Sequence, residues 1–219
     1  MSREKGKSPE CLQEILHVDF TGFVDDIDFS KLAKPEDKEL APKKSLGSLR
    51  LLALDVDGVL TDGTMNIGPA GEVSKAFYSK DGLGISCALR SGLEIAIITG
   101  RRSLSAERRG KELGIKLILL GIKDKYQALE DLRKARQLKK EEVAFMGDDL
   151  NDLPAFRAAG FAFAPADAVT EVRAMADVVT EKAGGRGAVR EAIEMILKAR
   201  GEWEKIVEAY KTQGQGDKQ

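Results

Sequence analysis

The sequence predicts an α/β protein, a doubly wound parallel sheet with one small β-hairpin insertion. Three observations carry that prediction. After Leu49 the chain holds a series of short apolar runs, LRLLAL, EIAIIT, KLILL, VAFM, FAFA and DVVT. Each run is apolar throughout instead of alternating, as strands covered on both faces are. The intervals are amphipathic at helical spacing and long enough for crossovers, which places helices on both sides of one sheet.

Residues 1–48 read as a polar extension, in which KLAKPEDKELAPKKS is a charged linker punctuated by proline. Within it, Ser8-Pro9-Glu10 opens a short helix reaching Val18. That segment and FTGFVDDIDF carry several apolar side chains, and two readings stay open, a weakly ordered tail and a contact for a partner or subunit. The main domain spans residues 49–211. Its first strand is followed by TDGTMNIGPAGEVSKAFYSKDG, two short strand-like runs about a GPAG turn, which read as an inserted hairpin. Helical patterns fill most of the later intervals. A single helix is expected from about Gly187 to Tyr210, where Val189, Ile193, Ile196, Leu197, Trp203, Ile206 and Val207 form an apolar stripe. Residues 212–219 are expected to be a flexible tail.

The chain has 219 residues, of which 42% are hydrophobic and 32% charged, enough for one sizeable core. A net charge of -1 supplies no bulk attraction to nucleic acid or a membrane surface, so any anion must be recognised locally. Cys11 and Cys87 form no CxxC pattern, and His17 is the only histidine, which argues against a disulfide framework, a zinc site or a Ser-His-Asp triad. No apolar run is long enough to span a bilayer, and the N-terminus lacks a continuous apolar signal core. A soluble, cytoplasmic protein is therefore expected. Its chemistry must come from carboxylates, hydroxyls and lysines.

In open parallel sheets, ligands bind beyond the carboxyl ends of the strands. Asp55 and Asp57 follow the first strand, Thr99 and Gly100 the second, GIKDK with Lys123 and Lys125 the third, and GDDLNDLP the fourth. Together these supply carboxylates, a hydroxyl, an ammonium and glycine-flanked amides, which suits Mg²⁺ and a phosphoryl group. Oxygen ligands alone favour a hard cation over zinc.

DVDGVLTDG, Thr99-Gly100, Lys125 and GDDLND stand in the order of the four motifs of the haloacid dehalogenase-like phosphatases, which the chain resembles. KAFYSKDGLGI, AIITGR and AGGRGAVREA narrow the resemblance to the small tetrameric 3-deoxy-D-manno-octulosonate 8-phosphate phosphatases, over roughly Leu49 to Tyr210. That resemblance implies a haloacid dehalogenase-like, Rossmann-type fold and a Mg²⁺-dependent phosphatase of a sugar acid phosphate, in lipopolysaccharide precursor synthesis. Asp55 would be the nucleophile and Asp57 the acid and base, with Asp55, Asp148 and the Asp57 carbonyl on the metal. Asp149, Asn151 and Asp152 would hold metal-bound water or orient Lys125. Thr99 would bond a phosphoryl oxygen, and Lys125 would screen the charge between Asp55 and the phosphate. Gly100, Lys80, Arg101 and Arg186 would line the substrate pocket, Arg186 holding the substrate's carboxylate.

The chain departs from the family in having Leu120 where a glutamine commonly precedes Gly121. Without a cap the site would stand open, and in the resembling family neighbouring subunits close it, as a homotetramer. Met65, Ile67, Val73 and Phe77 make the hairpin the candidate for that assembly. A nonulosonate 9-phosphate is the rival substrate. Readings from other classes are an idle domain assembling a sugar-nucleotide synthetase, which the intact Asp55 and Asp57 oppose, and a phosphoacceptor signalling domain, in which the acid pair would precede the acceptor Asp.

Overall fold

The computed structural model describes residues 45–69 and 71–212. The expected helix from Ser8 to Val18, the linker and the tail from residue 213 lie outside the described residues.

The main sheet has six strands, β1 (Leu51–Leu54), β4 (Glu94–Thr99), β5 (Leu117–Leu120), β6 (Val143–Met146), β7 (Phe161–Ala164) and β8 (Val178–Val179), in the order β5-β4-β1-β6-β7-β8. Every pairing between neighbours is parallel, with Leu52 of β1 opposite Ile95 of β4 and Ala144 of β6. The inner strands β1, β6 and β7 are buried at every position, whereas the edge strands β5 and β8 are only partly covered.

The alternation of side chains along β1 shows why its sequence is apolar throughout. Leu52 and Leu54 enter one core layer, with Ile85 and Ala88 of α1 (Ser79–Arg90) and Val189, Ile193 and Ile196 of α6 (Ala188–Ala199). Leu51 and Ala53 enter the opposite layer, with Leu129 and Leu132 of α3 (Lys125–Ala135), Ala155 and Phe156 of α4 (Leu153–Ala158) and Val172 of α5 (Thr170–Met175). A strand covered on both faces has no polar side to show. Helix α2 (Leu104–Glu112) joins the first layer through Ala106, and its Gly110 lets Ile97 and Ile118 approach, since a Cβ there would stand 2.8 Å from Ile118 Cδ1.

The inserted hairpin is present as a separate two-stranded antiparallel sheet, β2 (Asn66–Gly68) and β3 (Gly71–Ser74). Among the described residues it is the only sheet between β1 and α1, and no large cap is built there. Ile67 is 65% exposed and Met65 37%, but Phe77 packs on the first core layer of its own chain and is not free for assembly; the Val73 side chain lies outside the described ones.

The single helix expected from Gly187 to Tyr210 is two. Helix α6 stops at Ala199, and α7 (Trp203–Thr212) restarts after Gly201, whose φ of +67° ends the first helix. The Gly201 and Glu202 amides bond back to Lys198 and Leu197, closing the turn as glycine does after a helix. The apolar stripe continues across the break because Trp203 and Ile206 still pack against the same layer.

Leu52 has no exposed surface and serves the central strand. Leu52→Ala is expected to lower unfolding free energy by about 2–5 kcal/mol in urea titrations, with the slope of the transition unchanged.

Candidate active site

The four strand ends that face one another belong to β1, β4, β5 and β6, and the candidate residues follow them. The Asp55 amide still bonds the Met146 carbonyl at 3.0 Å, so Asp55 is held in the ladder one residue beyond β1 and is buried. Behind it the chain turns sharply, with the Val59, Leu60 and Thr61 amides all directed to the Val56 carbonyl. Gly58 sits in that turn at a φ of +83°, and a Cβ on it would stand 2.0 Å from Asp148 Oδ2. The glycine is needed on both counts, for its backbone angle and for the approach of Asp148.

Lys125, the first residue of α3, is fully buried with its Nζ 3.1 Å from Asp55 Oδ1 and 2.6 Å from Asp152 Oδ1. The other oxygen of Asp152 accepts from the amides of Asp148, at 2.9 Å, and Asp149, at 3.3 Å. Asp152 therefore fixes the Lys125 ammonium and the loop carrying Asp148 together. Lys123, the competing lysine, is exposed, and Asp124 caps α3 by accepting from the Gln127 amide.

Asp55, Asp148 and Asp152 each offer an oxygen within 4.8 Å of the others. Asp55 Oδ1 and Asp148 Oδ1 are buried and accept no hydrogen bond of proper geometry, which is the position a hard cation would fill. Asp57 stands outside that trio by its side chain. Asp149 and Asn151 are exposed, and Asp149 accepts from the Leu150 amide of its own turn, so neither joins the cluster through its side chain. Of the four polar residues in the loop, the structure brings Asp148 and Asp152 into the site.

Burial first, and then the Asp152 charge, raise Asp55 to about 7 in spite of Lys125. Burial, Asp152 and Asp55 raise Asp148 to about 8. Burial also works to lower Lys125, but the charges of Asp55 and Asp152 outweigh it and hold the ammonium above its ordinary range.

Thr99 is buried at the end of β4, its Oγ1 accepting from the Arg101 amide at 3.4 Å, with Gly100 between them. Arg101 is partly exposed and its Nε lies 3.9 Å from Asp57 Oδ2. Arg186 Nη2 donates to Asp62 Oδ2 at 3.1 Å, tying the 184–187 loop to the turn after Asp57. The Thr64 amide chiefly, with Arg186 further down, holds the Asp62 carboxyl below the usual range. The two loops meet backbone to backbone, since a Cβ on Gly184 would stand 1.7 Å from the Gly58 carbonyl oxygen. Lys80 is exposed in the first turn of α1, its Nζ 5.9 Å from the centre of the Tyr78 ring.

Lys75 opens the stretch KAFYSKDGLGI but is not among the candidate site residues, yet its side chain is 1% exposed and its Nζ bonds Asp57 Oδ1 at 2.5 Å. The contact spans 18 positions from the hairpin back to the acid, a distance that no helix or strand period reports.

A model of the haloacid dehalogenase-like hydrolases matches residues 118–193. The chain belongs to the haloacid dehalogenase-like hydrolases and is a phosphoric monoester hydrolase. Within that class its similarity is to the 3-deoxy-D-manno-octulosonate 8-phosphate phosphatases. It is 47% identical to the enzyme KdsC of Escherichia coli strain K12 over 154 residues, 70% of this chain and 82% of that one. It is 43% identical to KdsC of Haemophilus influenzae over 159 residues, 73% of this chain and 88% of the other. The crystal structure of the phosphatase from Moraxella catarrhalis, in complex with magnesium ion, phosphate ion and KDO, superposes with a TM-score of 0.73 at 43% identity, covering 75% of this chain and 95% of that one.

Asp55 and Asp148 keep protons in the fold at pH values where the unfolded chain has lost them. Without a cation the fold therefore loses stability as pH rises from about 4 to about 8. In chelator, the thermal midpoint is expected to fall over that range and Asp148→Asn to flatten the fall; a midpoint insensitive to pH would contradict this account of the cluster.

Proposed function

We propose that this chain is a Mg²⁺-dependent phosphatase that hydrolyses 3-deoxy-D-manno-octulosonate 8-phosphate through an aspartyl-phosphate on Asp55. The observation that carries the reading is a buried Asp55 at the end of the central strand, with the Lys125 ammonium 3.1 Å from its Oδ1 and, within the same acidic cluster, a buried Asp148 Oδ1 that accepts no hydrogen bond. Asp55 and Asp148 would hold the Mg²⁺, together with the Asp57 carbonyl, while Asp152 beside them orients Lys125 and the loop of Asp148. When bound, the ion neutralises these acids and offsets the negative charge of the phosphate.

In the first half of the reaction an Asp55 oxygen attacks phosphorus, the ester P–O bond breaks, and its electron pair leaves on the sugar oxygen, which takes a proton from Asp57. In the second half water attacks phosphorus, gives a proton to Asp57 and releases Asp55. Lys75 Nζ, at 2.5 Å, and Arg101 Nε, at 3.9 Å, hold the Asp57 carboxyl group in place for both transfers. Lys125 keeps Asp55 charged enough to attack, and Thr99 donates its hydroxyl to the phosphoryl group.

Arg186, Lys80 and Arg101 are the cations that would meet the substrate's carboxylate and hydroxyls. Residues 49–211 make up the phosphatase domain. The enzyme works in the cytoplasm, and no described helix is long and apolar enough to cross a membrane. The exposed Ile67 and Met65 on the hairpin support assembly as a tetramer whose subunits complete one another's sites. Ile67→Asp is expected to reduce the mass measured by sedimentation toward that of the monomer while leaving the far-ultraviolet circular dichroism intact.

The deciding experiment is phosphate release with Mg²⁺ from the octulosonate 8-phosphate and from a nonulosonate 9-phosphate, with Asp55→Asn as the blank. The octulosonate is expected to be turned over preferentially, Asp55→Asn to abolish turnover, and Asp57→Asn to lower kcat by roughly 10²–10⁴-fold. Preference for the nonulosonate would shift the substrate and keep the chemistry. Release no higher than the blank from either, by folded protein, would favour an idle assembly domain.

A further inference from the structure

Asp81 lies outside the reaction just described, and its setting is unusual. It stands in the first turn of α1, 1% exposed, and its Oδ1 accepts the Arg190 amide of α6 at 2.8 Å. Helix α6 needs that acceptor, because its N-cap residue is Gly187, at a φ of +113°, with no side chain to offer. The second oxygen, Oδ2, is buried with no hydrogen-bond partner. Burial raises the Asp81 pKa, against the amides of Arg190 and Gly187, which lower it. A serine or asparagine at the start of α6 would cap it without burying a carboxylate. The position demands more than a helix end.

What it joins gives the reason. The residue before Gly187 is Arg186, and the 181–187 loop is otherwise tethered by Glu191, which accepts the Glu181 and Lys182 amides, by Asp167, which accepts the Gly184 amide, and by the Val59 carbonyl, which accepts the Gly185 amide. The residue before Asp81 is Lys80, turned roughly 100° from it around α1, and exposed. Close packing makes the link stiff, because a Cβ on Gly84 of α1 would stand 2.9 Å from Arg190 Cδ and 3.3 Å from Arg190 Cα. We propose that Asp81 is a positioning residue for substrate selection, whose buried carboxylate locks the start of α6 to the start of α1 and so sets Arg186 and Lys80 at a fixed separation across the mouth of the site. This rests on the reading that those two cations meet a sugar acid phosphate.

The test compares kcat/KM for 3-deoxy-D-manno-octulosonate 8-phosphate with that for p-nitrophenyl phosphate, which has no sugar acid to hold. Wild type, Asp81→Ala, Asp81→Asn, Arg186→Ala and the Asp81→Ala/Arg186→Ala double variant are measured, each as full-length chain. Asp81→Ala is expected to lower kcat/KM for the sugar acid at least about tenfold, mainly through KM, while the small ester changes less than about twofold. Asp81→Asn, which keeps an acceptor oxygen, is expected to recover most of the loss. In the Arg186→Ala background the Asp81→Ala loss should largely disappear. Equal losses on both substrates, no loss on either, or additive losses in the double variant would overturn the inference, leaving Asp81 a cap for stability alone. Should Asp81→Ala not fold, Asp81→Ser carries the same comparison, its hydroxyl being too short to reach the Arg190 amide. A wild type that prefers the small ester would instead remove the sugar acid reading itself.

Discussion

Charge confined beside the central strand governs the rest of the molecule. Asp55, Asp148 and Asp152 stand within 4.8 Å of one another around the buried ammonium of Lys125. One lysine cannot balance them, and burial of like charges is tolerable only where protons or a cation make up the difference. The surrounding architecture answers to that requirement. Parallel strands fix the acids at their ends, the fully buried Asp152 aims Lys125, and the glycine at position 58 leaves room for Asp148. The two leucine-rich layers on either side of the sheet supply the rigidity, since a cluster of mutually repelling groups would otherwise spread apart.

A second circuit of charge lies further out and is built differently. Asp57 is held between Lys75 and Arg101, and Asp62 by Arg186, all on segments that leave the sheet. The inner cluster is bound by neighbouring strand ends, whereas the outer one joins a hairpin, a loop before α6 and the turn after β1. The inner cluster thus rests on the rigid strand ends, whereas the partners of Asp57 and Asp62 come from insertions and loops, which vary at less cost to the core.

How much of this is legible in the sequence depends on the range over which each contact is made. Asp55, Thr99 and Asp148 are readable because they stand at or just past the end of an apolar strand, and Lys125 because it opens the helix that follows β5, and a parallel sheet gathers strand ends at one edge. The six strands and the hairpin are readable for the same local reasons. Asp152 is nameable from GDDLND but not separable there from Asp149 and Asn151, because only the short turn it closes decides which side chain faces inward. Lys75 stands in the stretch KAFYSKDGLGI, but its bond to Asp57 is invisible there, since that partner is set by the path of the hairpin. The break between α6 and α7 is written in Gly201, but an apolar stripe that runs on past the glycine hides it.

The contact between Gly184 and Gly58 has a consequence for how such an enzyme can diverge. Here two loops abut through bare backbone, with a Cβ at Gly184 falling 1.7 Å from the Gly58 carbonyl oxygen. Neither loop can be exchanged for one from another protein without carrying its counterpart along, because no side chain lies between them to absorb a mismatch. Arg186, two positions away and solvent-facing, is under no such restraint. New specificities would therefore arise by changing the residue at the tip while the paired glycines are inherited as one piece.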